Sequence, residues 1–183
     1  MTDGSAADDV DADEYAAVVY DLDGTLADLD VDWAQVESEV GARLREVGVD
    51  PDHHETWELL SAAEDAGIGA QVNALISQHE IGGALRSTRL PTVDELAAQS
   101  VPVGVCSLNC ELAVRAALEK HDLDGLVDVV VGRDTVASRK PDPGPLLAAV
   151  EELGVEPADV LFVGDSEKDA ETAERAGTKF QWV

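Results

Sequence analysis

Short apolar runs alternate with longer amphipathic stretches along most of this chain. Four runs rich in β-branched residues span 15–20, 101–106, 127–131 and 160–163, and a fifth apolar run closes the chain at 180–183. Such runs are typical of strands buried on both faces of a parallel sheet, and the helical patterns that follow them indicate βα units. The pattern therefore predicts an α/β fold, with a parallel sheet of about five strands flanked by helices.

More residues separate the first two runs than one crossover helix requires. Apolar positions recur there at helical spacing over three segments, 33–47, 57–63 and 72–79. Asp30 or Asp32 is a candidate N-cap for the first of these helices, and Gly48 is its candidate end. A capping-box pattern at 91–95 predicts a fourth helix that leads into the second strand.

These segments predict a division of the chain into three parts. We expect a small α-helical cap at 28–90, inserted after the first strand, and a catalytic core made of 15–27 and 91–183. The alternative is that the helices of 28–90 simply cover the sheet. Residues 1–14 contain six acids and lack the basic start and apolar stretch of a signal peptide, so we expect a disordered acidic tail and a cytoplasmic protein.

The charge balance narrows the possible partners. The chain has 183 residues, of which 39 are acidic and 12 are basic, for a formal net charge of −27. Nucleic acids and anionic membranes bind basic patches, so we expect neither as a partner. We also expect a monomer or weak homodimer. Acids spread through the predicted helices, together with scarce lysine, are typical of a protein from a salt-loving cytoplasm. An acidic protein of an ordinary cell is the alternative.

Side chains with catalytic chemistry follow the predicted strands at the points where the strands end. In chain order they are Asp21 and Asp23, Ser107 and Asn109, Lys140, and Asp165 and Asp169. Residues i and i+2 of an extended chain point the same way, and ligands of parallel sheets collect at the carboxyl ends of strands. Crowded acids repel one another unless a cation or a reaction uses them. The sequence therefore predicts one site at this edge of the sheet, although Asp-Gly is also an ordinary turn dipeptide.

Taken together, these motifs resemble those of the haloacid dehalogenase-like superfamily of hydrolases. Members carry Asp-x-Asp-x-Thr, a Ser or Thr, a Lys and an acidic pair in this order, and the resemblance covers residue 15 to the C-terminus. It implies a Rossmann-like core with a helical cap. The segment 139–143 is similar to that of the phosphoglycolate phosphatase-like branch, whose members usually have a larger cap and a longer C-terminal end.

The resemblance also implies roles for individual residues. Asp21 would be the nucleophile that forms an aspartyl phosphate, Asp23 the general acid and base, and Lys140 the cation beside the nucleophile. The implied contacts to the substrate phosphate come from three side chains, those of Ser107, Asn109 and Thr25.

A magnesium ion is the implied cofactor, because a carboxylate site facing a phosphate dianion needs compensating charge and Mg²⁺ prefers oxygen ligands. Its ligands would be the carboxylates of Asp21 and Asp165 and the backbone carbonyl of Asp23, with Asp169 acting directly or through water. The competing interpretation of Asp169 is a first-turn acid favoured by the helix dipole.

Several alternatives stay open at this point. The motifs predict a Mg²⁺-dependent phosphatase acting on small phosphorylated metabolites, but a phosphomutase of the β-phosphoglucomutase type uses the same motifs. A non-catalytic protein that binds a phosphorylated ligand is the alternative from another class. Ser107 and Asn109 could merely start a helix. Arg86 and Arg89 are the candidates for contacting a carboxylate on the substrate.

Overall fold

The computed structural model describes residues 15–51 and 56–183. Five strands form one parallel sheet with the order β3-β2-β1-β4-β5. Their bounds are β1 Ala17–Tyr20, β2 Val103–Cys106, β3 Val129–Val131, β4 Val160–Gly164 and β5 Lys179–Trp182. The predicted α/β fold and its parallel sheet are confirmed. The predicted tail, 1–14, lies outside the described residues.

The central position of β1 determines where a site can form. From β1 the chain adds β2 and β3 on one side, then crosses to the other side to add β4 and β5. Strand order therefore reverses beside β1, and crevices in open α/β sheets form at the carboxyl ends of strands at such a point. Hydrogen bonding between neighbouring strands continues to this edge, since Asp21 N donates to Val163 O at 2.9 Å and Ser107 N to Val131 O at 2.9 Å.

Helices cover both faces of the sheet. Val18, Leu161 and Val163 pack with α4 (Thr92–Ala97) and α5 (Glu111–Lys120) on one face. Val19 and Phe162 pack with α6 (Gly144–Leu153) and α7 (Glu167–Ala176) on the other. The alternation of neighbouring residues between these two cores explains why the strands are apolar at every position.

Three helices lie between β1 and α4, where helical spacing predicted them. They are α1 (Trp33–Glu46), α2 (Thr56–Asp65) and α3 (Gly69–Arg86). Most of their buried apolar residues form a cluster of their own, separate from the clusters on the sheet. A short antiparallel ribbon, Ala27–Asp28 paired with Thr88–Arg89, joins the two ends of this insertion. Whether 28–90 acts as a cap domain stays a prediction.

Helix ends agree with the predicted cap of α1 and differ from the predicted cap of α4. Asp32 is the N-cap of α1 and accepts from Gln35 N at 3.0 Å. Ser166 caps α7, where its hydroxyl and the Asp169 carboxylate form a capping box. The capping box expected at 91–95 is wrong, because Pro91 occupies the N-cap position and places Thr92 inside the first turn.

Among the described residues, no helix combines the length and apolar character that a bilayer crossing requires.

Candidate active site

The strand ends surround a cavity of about 280 Å³. Seven of the residues predicted for the site line it, namely Asp21, Asp23, Ser107, Asn109, Lys140, Asp165 and Asp169. They come from four separate segments of the chain, and the sheet topology alone places them side by side. A cavity of this size admits a phosphate group with a small organic substituent.

A sharp turn after β1 gives the acids their close spacing. Gly24 adopts φ = 85°, which is a conformation that other residues rarely take. A Cβ atom at Gly24 would overlap the Asp165 carboxylate, so a side chain at this position would displace that carboxylate. Gly24 in the first motif therefore allows the turn after β1 to pass next to Asp165 in the fourth motif.

Lys140 occupies the centre of the buried charges. Its Nζ donates to Asp21 Oδ1 at 2.7 Å, to Asp169 Oδ1 at 2.5 Å and to the Cys106 carbonyl at 3.1 Å. Burial alone would lower the pKa of Lys140, but the charges of Asp21 and Asp169 outweigh burial and raise it. Lys140 is therefore a fixed cation beside the candidate nucleophile.

The site contains more acidic side chains than Lys140 alone can neutralise. Carboxylate oxygens of Asp21, Asp165 and Asp169 all lie within 4.8 Å of one another. Burial, together with the negative charges of Asp169 and Asp165, raises the pKa of Asp21 above its ordinary value despite the contact with Lys140. Burial and the nearby Asp169 also raise the pKa of Asp165.

This excess of negative charge fits a divalent cation. All of the available donors are hard oxygens, which is the ligand set that Mg²⁺ prefers, and the three carboxylates converge on one point. A bound cation would relieve the repulsion that, added to burial, raises the pKa of Asp21. The three residues that would hold it by their carboxylates are Asp21, Asp165 and Asp169.

Asp23 has a different environment from Asp21. One of its carboxylate oxygens accepts from Leu29 N at 2.9 Å, which holds the side chain in place at the edge of the cavity. Burial raises the pKa of Asp23 to about 6, since the Leu29 bond only partly offsets the loss of hydration. A carboxyl group with such a pKa can exchange protons near neutral pH, as a general acid and base must.

Ser107 and Asn109 form a tight loop at the start of α5. Ser107 Oγ donates to Asn109 Oδ1 at 3.0 Å and accepts from Asn109 N at 3.1 Å. Neither side chain caps α5, because Cys110 takes the N-cap position and makes no side-chain cap bond. Both side chains are buried and line the cavity, where hydroxyl and amide groups can bind phosphate oxygens.

Asp169 serves two purposes at the start of α7. Its Oδ2 accepts from Ser166 N at 3.2 Å in the capping box, while its Oδ1 accepts from Lys140. The first-turn interpretation and the site interpretation of Asp169 are therefore compatible. The N-terminus of α7 orients the Asp169 carboxylate, and this carboxylate in turn orients Lys140.

Three of the residues considered from sequence are not brought to this cavity. Thr25 is fully buried and instead lines a cavity of about 770 Å³, and its hydroxyl is without a hydrogen-bond partner in the described part of the chain. Arg86 pairs with Asp30 at 2.8 Å and Arg89 with Asp94 at 2.6 Å. The expectation that these two arginines are the nearest candidates for a substrate carboxylate is wrong, because neither lines the cavity, whereas Lys168 does.

Other residues line the cavity without having been assigned to it from sequence. They are Trp33, Trp57, Leu108, Ser166 and Lys168. Trp33 and Trp57 pack edge to face, with ring centroids 5.9 Å apart. From the sequence, the helical spacing of apolar residues places both tryptophans on the apolar faces of helices. The signal that points to the site is the position of Trp33 at the first residue of a helix close after Asp23.

Comparisons with known proteins agree with this geometry. A family model described as haloacid dehalogenase-like hydrolase matches residues 86–183. A phosphoglycolate phosphatase of Rhodospirillum rubrum is 34% identical, over 88% of this chain and 76% of that protein. One of Aquifex aeolicus is 30% identical, over 88% of this chain and 81% of that protein.

A crystal structure from Bacteroides fragilis, described as a haloacid dehalogenase-like hydrolase, superposes with a TM-score of 0.70 at 26% identity, covering 91% of this chain and 86% of that one. The sheet topology, the order of the motifs and the relatives all agree. This chain belongs to the haloacid dehalogenase-like hydrolase family.

Proposed function

We propose that this protein is a Mg²⁺-dependent phosphatase that hydrolyses small organic phosphate monoesters through an aspartyl phosphate at Asp21. One observation carries the proposal. The carboxylates of Asp21 and Asp169 share the ammonium group of Lys140, and Asp23, Ser107 and Asp165 line the same small cavity. Two relatives of this chain bear the name phosphoglycolate phosphatase, which supports the same class of reaction.

The first step would be attack on phosphorus by Asp21. A carboxylate nucleophile divides a very slow hydrolysis into two easier displacements. Lys140 holds Asp21 Oδ1 at 2.7 Å, which fixes the orientation of the carboxylate and leaves its other oxygen to attack. Asn109 would bind the oxygens of the phosphoryl group during transfer, and so would Ser107 once its hydroxyl proton turns from Asn109 Oδ1 to the substrate.

Asp23 would manage the protons of both steps. In the first step it donates a proton to the leaving alkoxide, and in the second it accepts one from the water that attacks the aspartyl phosphate. Its pKa of about 6 suits both tasks. The bond from Leu29 N keeps the carboxylate at the cavity while the proton moves.

When bound, Mg²⁺ supplies the positive charge that the phosphoryl group and the carboxylates need in order to approach one another. The carboxylates of Asp21, Asp165 and Asp169 would hold it, and the backbone carbonyl of Asp23 is a further candidate ligand.

The substrate would be a small, soluble metabolite. The cavity has a volume of about 280 Å³, and Trp33 and Trp57 form part of its wall. A macromolecular phosphate is a poorer match for a cavity of this volume. Phosphoglycolate is one candidate member of this substrate class. We also expect a cytoplasmic location.

The test is phosphate release from a panel of monoesters graded by size, with 4-nitrophenyl phosphate as the generic substrate. We expect turnover with Mg²⁺, no turnover with excess EDTA, and recovery when Mg²⁺ is restored. A hexose 1-phosphate with a trace of the bisphosphate belongs in the panel, because a phosphomutase would isomerise it without net phosphate release. The absence of turnover on every ester would favour a non-catalytic binding protein.

A further inference from the structure

A buried ion pair joins α3 to the loop that follows β3. Glu80 on α3 and Arg133 in the loop have side chains that are 0% and 2% exposed, and Arg133 Nη1 donates to Glu80 Oε1. Removing two charges from water is costly, so a buried pair contributes little net stability relative to apolar residues of the same size. The contacts around the pair indicate a different use for it.

Arg133 binds three parts of the molecule at once. Its Nε donates to Asn73 Oδ1 at 2.9 Å and its Nη2 to Ser77 Oγ at 3.0 Å, both on α3. Its Nη1 also donates to the Leu108 carbonyl at 2.9 Å, within the loop between Ser107 and Asn109. The guanidinium carbon lies 5.3 Å from the centre of the Trp57 ring on α2.

Glu80 completes the connection to the candidate phosphate-binding loop. Its carboxylate accepts from Cys110 N at 3.0 Å and from Asn109 Nδ2 at 3.4 Å. Because an ionised carboxylate only accepts, the amide nitrogen of Asn109 must face Glu80. The amide oxygen then faces Ser107, whose hydroxyl donates to it at 3.0 Å.

We propose that Glu80 and Arg133 are positioning residues that hold the loop 107–109 in its phosphate-binding geometry and make this geometry depend on the seating of α3. The inference rests on the proposed function, in which Ser107 and Asn109 bind phosphate. The pair touches the loop at Leu108 and Asn109 and the adjoining N-cap Cys110, yet neither member lines the cavity. Its effect is therefore exerted through the loop.

The test compares Glu80→Met, Arg133→Met and the double variant with the wild-type protein. Each single variant leaves a buried charge without its partner and should melt well below wild type, whereas the double variant leaves none and should recover much of the loss. If the pair had only a structural role, phosphate affinity would recover in the double variant to the same extent as the melting temperature. If the pair positions the loop, the affinity would not recover, because Asn109 and Cys110 still lack their acceptor.

The decisive readout is the affinity for inorganic phosphate, measured by calorimetry with Mg²⁺ present. We expect the dissociation constant of the double variant to rise at least tenfold, with a matching rise in KM for 4-nitrophenyl phosphate. Glu64→Gln is the matched control. It removes the negative charge of the Glu64–Arg139 pair, which also joins an inserted helix to a loop after β3 but does not touch 107–109. Its phosphate affinity should equal that of wild type.

The possible outcomes separate this inference from the proposed function. Wild-type phosphate affinity in the double variant would overturn the positioning role and leave the phosphatase standing. No phosphate binding by the wild-type protein would overturn both. If the methionine variants do not fold, Asn73→Ala with Ser77→Ala loosens Arg133 while keeping the ion pair. That variant should bind phosphate several-fold more weakly than wild type, and unchanged binding would overturn the inference.

Discussion

Replacing Lys140 with methionine tests the buried charge arrangement most severely. The substitution keeps an unbranched stem similar to that of lysine and removes the ammonium group that Asp21 and Asp169 share. Both carboxylates are buried, so each would lose its charged partner without gaining access to water. Removing one member of a buried pair typically costs about 3–5 kcal/mol of unfolding free energy.

The expected change in melting temperature follows from that figure. For a chain of this length each kcal/mol corresponds to roughly 2–4 °C, so Lys140→Met should melt about 6–20 °C below wild type. The assay is thermal unfolding in EDTA, where no metal ion can replace the lost charge. Mg²⁺ should restore part of the stability.

Activity should fall independently of stability. The ammonium group lies next to the charge that moves during phosphoryl transfer, and removing one such preorganised donor typically lowers kcat by about 10²–10³-fold. Lys179→Met is the control, because Lys179 is exposed on β5. If Lys140→Met melts and turns over like this control, the assignment of Lys140 as the cation of the site is refuted.

Two further predictions concern protons and salt. For an alkyl phosphate, kcat/KM relative to 4-nitrophenyl phosphate should fall as the pH rises through about 6, because Asp23 must be protonated to assist the poorer leaving group. Asp23→Asn should abolish this pH dependence and lower the alkyl rate by about 10²–10⁴-fold, and an unchanged ratio would exclude Asp23 as the acid. The excess of acidic side chains, which gives a net charge of −27, destabilises the fold through mutual repulsion. The melting temperature should rise from 0.01 to 1 M KCl, as the Debye length falls from roughly 30 to 3 Å. A flat response would contradict the expectation of a halophilic protein.

The sequence was sufficient to predict the sheet, because its signals are local. Buried parallel strands are apolar at every position, and the residue after each strand must lie at the same edge. The positions of Asp21, Ser107 and Asp165 follow from these two rules. Helix α1 is equally local, since apolar spacing and Asp32 define it.

Contacts between distant segments were not predictable in this way. Glu80 has the sequence appearance of an exposed helix residue, and its burial depends on Arg133, which lies far along the chain. The ribbon of Ala27–Asp28 and Thr88–Arg89 is too short to leave a β pattern. Arg86 and Arg89 were misjudged for a related reason, because only the fold shows which basic side chains line the cavity.

The covalent role of Asp21 is the central claim, and trapping the phosphorylated protein tests it most directly. Wild-type protein is mixed with a radiolabelled phosphate monoester and Mg²⁺, quenched in acid within one turnover and digested for peptide mapping. The proposed mechanism predicts acid-stable, hydroxylamine-sensitive label on the peptide that contains Asp21, and none in Asp21→Asn. Turnover without label on that peptide, or an Asp21→Asn variant with the wild-type rate, would contradict it.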